Sequence, residues 1–138
     1  MKVVIMGCGR VGSTLATLMD QAGHRVTVID SNSDAFQRLR SDFKGEKIAG
    51  NGVDEEILRR AGIETADAFA AVTNGDNRNI MASQIAKEIF NIKKVVCRIY
   101  DPIRDSTYRE LGMETICPTL VGADMLFNSL TTSKKAVS

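Results

Sequence analysis

Short runs of β-branched and apolar residues alternate along this chain with longer segments in which apolar positions recur every three to four residues. That alternation is the mark of βαβ units around a mainly parallel sheet. Strands are predicted near residues 2–6, 25–30, 46–49, 67–72, 94–99 and 114–116, and helices near 10–22, 33–42, 53–60, 77–90, 103–111 and 119–130. Local signals agree with these boundaries. Gly23 follows the first helical segment, where the left-handed C-terminal position favours glycine, and Pro102 and Pro118 each follow a strand, where a new helix or loop must begin. Six strands with helical crossovers make an α/β doubly wound sheet. Right-handed crossovers then imply the order 3-2-1-4-5-6, with helices on both faces and any ligand at the carboxyl ends of strands 1 and 4, where the order reverses. On the last helix, Leu120, Ala123, Phe127 and Leu130 form an apolar stripe that Val121, Met125 and Leu126 widen beyond what packing on one sheet requires.

The 138 residues suffice for one domain, expected over 1–130, with a polar tail or linker stump at 131–138, and are too few for a cofactor domain plus a separate catalytic domain. A hydrophobic fraction of 43%, a charged fraction of 25% and a net charge of +1 give no electrostatic reason to expect nucleic acid or an anionic membrane as a partner. The three cysteines, Cys8, Cys97 and Cys117, form no C-x-x-C pair, which suggests neither a disulfide framework nor a zinc site and fits a reducing cytosol. No apolar run approaches the ~18 residues a membrane span needs. The single histidine, His24, falls in the turn after the first helix, away from the expected ligand edge. With no nucleophile elbow, Walker lysine or metal-ligand cluster in view, neither catalytic residues nor a metal site are expected.

The chemistry concentrates in Gly7-Cys8-Gly9-Arg10-Val11-Gly12, a G-x-G-x-x-G fingerprint directly after the first strand and at the start of a helix. In this Rossmann-type arrangement Gly7 permits the tight turn, Gly9 admits a pyrophosphate to the backbone, and Gly12 lets helix and strand pack closely. The helix N-terminus offers unpaired N–H groups and a positive dipole end to phosphate. Asp30 ends the second strand 18 positions after Gly12, near the ~20 expected of a ribose-binding carboxylate. Its charge disfavours the additional phosphate of NADP, and Ser31-Asn32-Ser33 supply no arginine to offset it, so NAD is favoured. Ser31 joins Asp30 in the candidate site. Asp30 could instead cap the next helix, although Ser31 or Ser33 could do so equally well. Arg10 opens a helix, where a cation opposes the dipole, and makes better sense beside a pyrophosphate or the distal phosphates of ATP. Thr73 and Asn74, after the fourth strand, are placed to hold the second half of a dinucleotide, while Asn74-Gly75 also reads as a plain turn. Arg98, in a strand buried on both faces, needs an anion, either a ligand phosphate or a carboxylate such as Asp76 or Asp101. Asn51, within Gly50-Asn51-Gly52, could hydrogen-bond an adenine. Cys8 reads as a small side chain packed in the turn.

Taken together, the opening through Gly12, the strand end Val28-Ile29-Asp30, Gly50-Asn51-Gly52, Ala71-Val72-Thr73-Asn74 with Asp76 and Asn79, and Cys97-Arg98 resemble the nucleotide-binding domain of potassium-transport regulators. These are the Trk and Ktr regulatory subunits and the RCK domains of channels, also called KTN or TrkA N-terminal domains. The resemblance runs over residues 1 to about 130. It implies a cytoplasmic regulator, peripheral to the membrane, that gates an integral membrane potassium transporter or channel as a homodimer or higher ring in response to NAD or NADH, or to ATP, ADP or AMP. By matching position it implies that Gly7, Cys8, Gly9, Arg10 and Val11 hold phosphate, Asp30 ribose, and Thr73, Asn74 and Arg98 the rest of the ligand. Asn51 stands where an aspartate is common in the family. The competing expectation is the cofactor domain of a small NAD-dependent oxidoreductase, but no chain remains after residue 130 to build a substrate pocket.

Overall fold

In a computed structural model describing residues 1–132, six parallel strands lie in the order β3-β2-β1-β4-β5-β6. They are β1 (Lys2–Met6), β2 (Arg25–Asp30), β3 (Glu46–Ala49), β4 (Ala68–Ala71), β5 (Lys94–Arg98) and β6 (Glu114–Ile116), with α1 (Arg10–Gln21), α2 (Glu55–Arg60), α3 (Asp76–Gln84), α4 (Pro102–Glu110) and α5 (Pro118–Thr131). The expected doubly wound fold and strand order are those observed. The last helix runs to Thr131, and the rest of the expected tail, from residue 133, lies outside the described residues.

β1 is central because it is apolar on both faces. Val4 and Met6 pack with Leu58, Ile63, Phe69 and Ala82 on one side of the sheet, while Val3 and Ile5 pack with Ala16, Val26 and Val28 on the other. A third cluster, Ile80, Cys97, Ile99 and Met113, seats α3 and α4 against β5. Parallel strands covered on both faces need such continuous apolar runs.

Two predicted helices differ in kind. The segment expected as a helix at 33–42 is a 3₁₀ turn over Ser33–Arg38, after which Leu39 is extended. Two 3₁₀ turns bring Ala35 into the core, with Phe36 packed partly against it and Leu39 buried just beyond, and the exposed polar residues beside them supply too little apolar face to extend a helix. Its cap is Asn32, which accepts a hydrogen bond from the Asp34 N–H at 3.0 Å, so neither Asp30, Ser31 nor Ser33 has that duty. The helix expected at 77–90 ends as α-helix at Gln84 and continues as a π turn over Ile85–Ile89. The turn closes with Phe90 N–H bonded to the Ile85 carbonyl at 3.2 Å, and Asn91 follows at φ 56°.

The last helix stands away from its own domain: α5 contains no buried residue, and Phe127 is 63% and Leu130 84% exposed. On the face that α1 covers elsewhere, β4 to β6 therefore floor a nearly wholly apolar groove of about 600 Å³, lined among others by Val11, Leu15, Ala70, Val96, Ile116 and Val121.

Candidate functional site

At the carboxyl edge of the sheet, where the order reverses between β1 and β4, a cleft of about 540 Å³ opens over the glycine turn. Each glycine has a separate reason to be there. Gly7 has φ +114°, and a Cβ on it would come within 2.9 Å of the backbone after β4. A Cβ on Gly12 would lie 1.8 Å from the Gly7 carbonyl oxygen, so Gly12 packs on the turn itself. A Cβ on Gly9 would meet nothing within 4 Å; it would occupy the open space in which a phosphate could approach. Gly9 caps α1 with no side-chain acceptor, and the first turn of the helix carries no acidic residue. Its N–H groups and dipole remain available to an anion.

Asp30 is at the cleft wall and already tied to the turn. One carboxylate oxygen accepts from the Cys8 N–H at 2.8 Å and the other from the Asn32 N–H at 2.9 Å. Each oxygen keeps acceptor capacity for a ribose hydroxyl. Cys8 points into the core and is fully buried; burial, and then the Asp30 carboxylate, push its thiol pKa up. With its N–H donated to Asp30, Cys8 brings neither thiol nor N–H to the cleft, and Gly12 does not line it either.

The other predicted residues divide. Gly7, Gly9, Arg10, Val11, Asp30, Ser31, Thr73, Asn74 and Arg98 all line the cleft. Asn51 does not: its Oδ1 accepts from the Val53 N–H at 3.1 Å to shape the turn, and Gly50 and Gly52 form the wall instead. Thr73 donates its hydroxyl to Asn79 Oδ1 at 2.6 Å and accepts from the Gly75 N–H at 3.2 Å. Asn79, fully buried, clamps the ends of two strands by donating to the carbonyls of Thr73 and Arg98, each at 2.9 Å.

Of the two anions expected as alternatives for Arg98, a ligand phosphate or a carboxylate, neither Asp76 nor Asp101 pairs with it. Asp76 accepts instead from the N–H groups of Tyr100 and Asp101, and Asp101 caps α4 through the Ile103 N–H and lies 3.8 Å from Arg104. The Arg98 guanidinium donates to the Thr73 carbonyl at 2.8 Å and lies 4.7 Å from the Tyr100 ring centroid. Burial holds its pKa below the usual arginine range, countered in part by Tyr100 and Asp76.

Among the cleft side chains missed in the sequence are two arginines and a tyrosine, Arg38, Arg78 and Tyr100. Arg38 is eight positions beyond Asp30 and reaches the cleft through the 3₁₀ turn. The absence of an arginine in Ser31-Asn32-Ser33 is therefore no ground for preferring NAD to NADP. Arg78 had a legible signal, its i, i+4 spacing from Asn74, which it meets at 2.8 Å. The cleft thus gathers four arginines, Arg10, Arg38, Arg78 and Arg98, around one carboxylate, Asp30. Among the described residues none of the four makes an ion pair. Such an excess of unpaired cation at a helix N-terminus suits a phosphate-bearing ligand. A somewhat larger cavity of about 610 Å³ lies at the opposite end of the sheet, with Lys2, His24 and Arg60 in its wall, away from the switch point and the glycine turn. Among the described residues no cluster of potential metal ligands occurs, and no helix is long and apolar enough to cross a membrane.

The TrkA-N domain family matches residues 3–118. A relative from Streptomyces coelicolor, the Trk system potassium uptake protein TrkA, is 49% identical over 130 residues, covering 94% of this chain and 58% of that protein. The chain therefore spans a little over half of that relative's length. Among solved structures, the Shewanella denitrificans Kef C-terminal domain in its AMP-bound form superimposes with a TM-score of 0.81 at 20% identity, covering 96% of this chain and 84% of that one. The GsuK channel bound to NAD gives 0.78 at 23% identity, covering 94% of this chain and 23% of that one. At these identities both likenesses speak to the fold alone.

Proposed function

The chain belongs to the TrkA-N domain family, and from that premise we propose that it is a nucleotide-binding regulatory domain that gates a membrane potassium transporter or channel. The observation that carries the reading is the switch-point cleft, with a glycine turn open at Gly9, Asp30 beside it, and four arginines without a carboxylate partner. In this reading the backbone of Gly7, Gly9 and Val11 and the first turn of α1 hold phosphate. Asp30, with Ser31, takes ribose hydroxyls. Arg10 reaches a pyrophosphate or a distal phosphate, and Thr73, Asn74 and Arg98 face the remainder of the ligand. The ligand is NAD or NADH, or ATP, ADP or AMP. The relative's name as a potassium uptake protein, and the AMP and NAD bound to proteins of the same fold, support this choice. The domain works in the cytoplasm, at the membrane only through its transporter partner, and gates rather than catalyses.

The assembly proposed is a homodimer, the unit from which higher rings are built. Its support is the unburied α5 and the uncovered apolar groove beside it. Covering these with a second copy would contribute about 1.5–3 kcal/mol for each large side chain fully buried.

Calorimetry on nucleotide-stripped protein with NAD, NADH, ATP, ADP and AMP tests the binding reading. Saturable binding of at least one is expected, and failure of all five overturns it.

A further inference from the structure

Beneath the wall that β4 and β5 give to the cleft, α3 carries a polar residue at a core position. Asn79 is fully buried one turn into the helix, and it is not among the residues that line the cleft. Asparagine is a poor helix former, and a buried amide is costly unless its donors and acceptor are all met. Here they are met. Nδ2 donates to the Thr73 and Arg98 carbonyls, each at 2.9 Å, and Oδ1 accepts the Thr73 N–H at 3.0 Å and the Thr73 hydroxyl at 2.6 Å. The amide has no capacity left for a ligand. An apolar side chain of similar volume would fill the same space with none of these bonds. What the satisfied network adds is a single fixed geometry.

The partners show which geometry is fixed. Ala71 and Cys97 are the last residues paired in the β4–β5 ladder, so Thr73 lies beyond the point where strand pairing holds it against β5. Asn79 supplies that link. The Thr73 carbonyl it holds also accepts from the Arg98 guanidinium at 2.8 Å, so one amide governs both the spacing of the strand ends and the aim of the arginine. Three residues earlier on α3, Asp76 takes the N–H groups of Tyr100 and Asp101 at 2.8 and 3.1 Å, gripping the chain just past Arg98. We propose that Asn79 is a positioning residue for ligand binding. Without touching the ligand, it sets the affinity for the half of a dinucleotide that lies beyond the glycine turn, against Thr73, Asn74 and Arg98. The inference rests on the nucleotide reading above.

The test titrates NAD and AMP by calorimetry against wild type, Asn79→Asp and Ile63→Ala, with urea unfolding in parallel. Asn79→Asp keeps the size and the Oδ1 acceptor but replaces the donor that faces two carbonyls with an acceptor. Ile63→Ala opens a cavity in the core next to Gly62, which lines the cavity at the opposite end of the sheet, and so destabilises the domain away from the cleft. In the nucleotide reading NAD spans both halves of the cleft, and its affinity should fall about tenfold in Asn79→Asp. AMP, held at Asp30 and the glycine turn, should change less than about twofold, as should both ligands in Ile63→Ala. A purely structural Asn79 predicts the same ratio of NAD to AMP affinity in both variants, and that result overturns the proposal while leaving nucleotide binding intact. If Asn79→Asp does not fold, the side-chain amide resonance of Asn79 in isotope-labelled wild type decides. It should shift with NAD and stay in place with AMP; equal responses refute the proposal. Wild type that binds AMP but not NAD overturns it as well, and wild type that binds no nucleotide overturns the nucleotide reading itself.

Discussion

Gly9 and Gly12 lie three positions apart in one turn, yet substitution should injure the protein in opposite ways. At Gly9 a Cβ meets nothing within 4 Å and the backbone, at φ −77°, is open to any residue. Gly9→Val should therefore fold normally, with a stability loss under about 1 kcal/mol from the poorer cap. Its isopropyl group would stand where a phosphate must approach, removing one or more charge-assisted bonds of about 1.5–3 kcal/mol each. Affinity for ADP, ATP and NAD should then fall roughly tenfold to a hundredfold. Gly12→Ala puts a methyl 1.8 Å from the Gly7 carbonyl oxygen, with that carbonyl's carbon at 2.7 Å. Both atoms are backbone and cannot rotate aside, so the turn itself must shift, at a cost of at least about 1–3 kcal/mol. Urea unfolding with parallel calorimetry separates the two effects. If Gly9→Val unfolds like wild type and binds ATP and NAD as tightly, the phosphate site is elsewhere. A wild-type midpoint for Gly12→Ala would refute the packing argument.

Asp30→Ala should weaken nucleotide binding by about 1–3 kcal/mol and also loosen the turn, because the N–H groups of Cys8 and Asn32 lose their acceptor; unchanged calorimetric affinity would remove ribose from its role. Phe127→Asp places a charge on the exposed face of α5 and should convert a sedimenting dimer to a folded monomer; a monomeric wild type, or a variant that stays dimeric, refutes the interface. The buried Cys97 thiol is pushed from 9.0 to about 11, chiefly by burial. Because the folded pKa is the higher one, its contribution is fully present below pH 9 and is lost as pH rises toward 11, a loss of at most about 3 kcal/mol. Cys97→Ala should flatten that part of the stability profile measured by urea unfolding, and an unchanged slope would discount the thiol.

Hydrophobic periodicity was enough to determine the number, kind and order of the strands, since alternating short apolar runs and helical segments leave few right-handed windings. The glycine fingerprint with Asp30 located the cleft for the same reason: strand, turn and helix are adjacent in the chain. Tertiary structure decided which side chains share that cleft and what each already holds. Arg38 comes to it from a segment whose local sequence reads as solvated surface, and Asp76 spends its oxygens on backbone more than twenty residues away rather than on Arg98. The inward turn of Cys8 and the local role of Asn51 likewise depend on hydrogen bonds that no spacing rule specifies. The apolar width of α5 was legible, but its separation from its own sheet was not. A stripe records that a helix needs cover, and only the placement of the other helices determines whether its own domain can supply that cover.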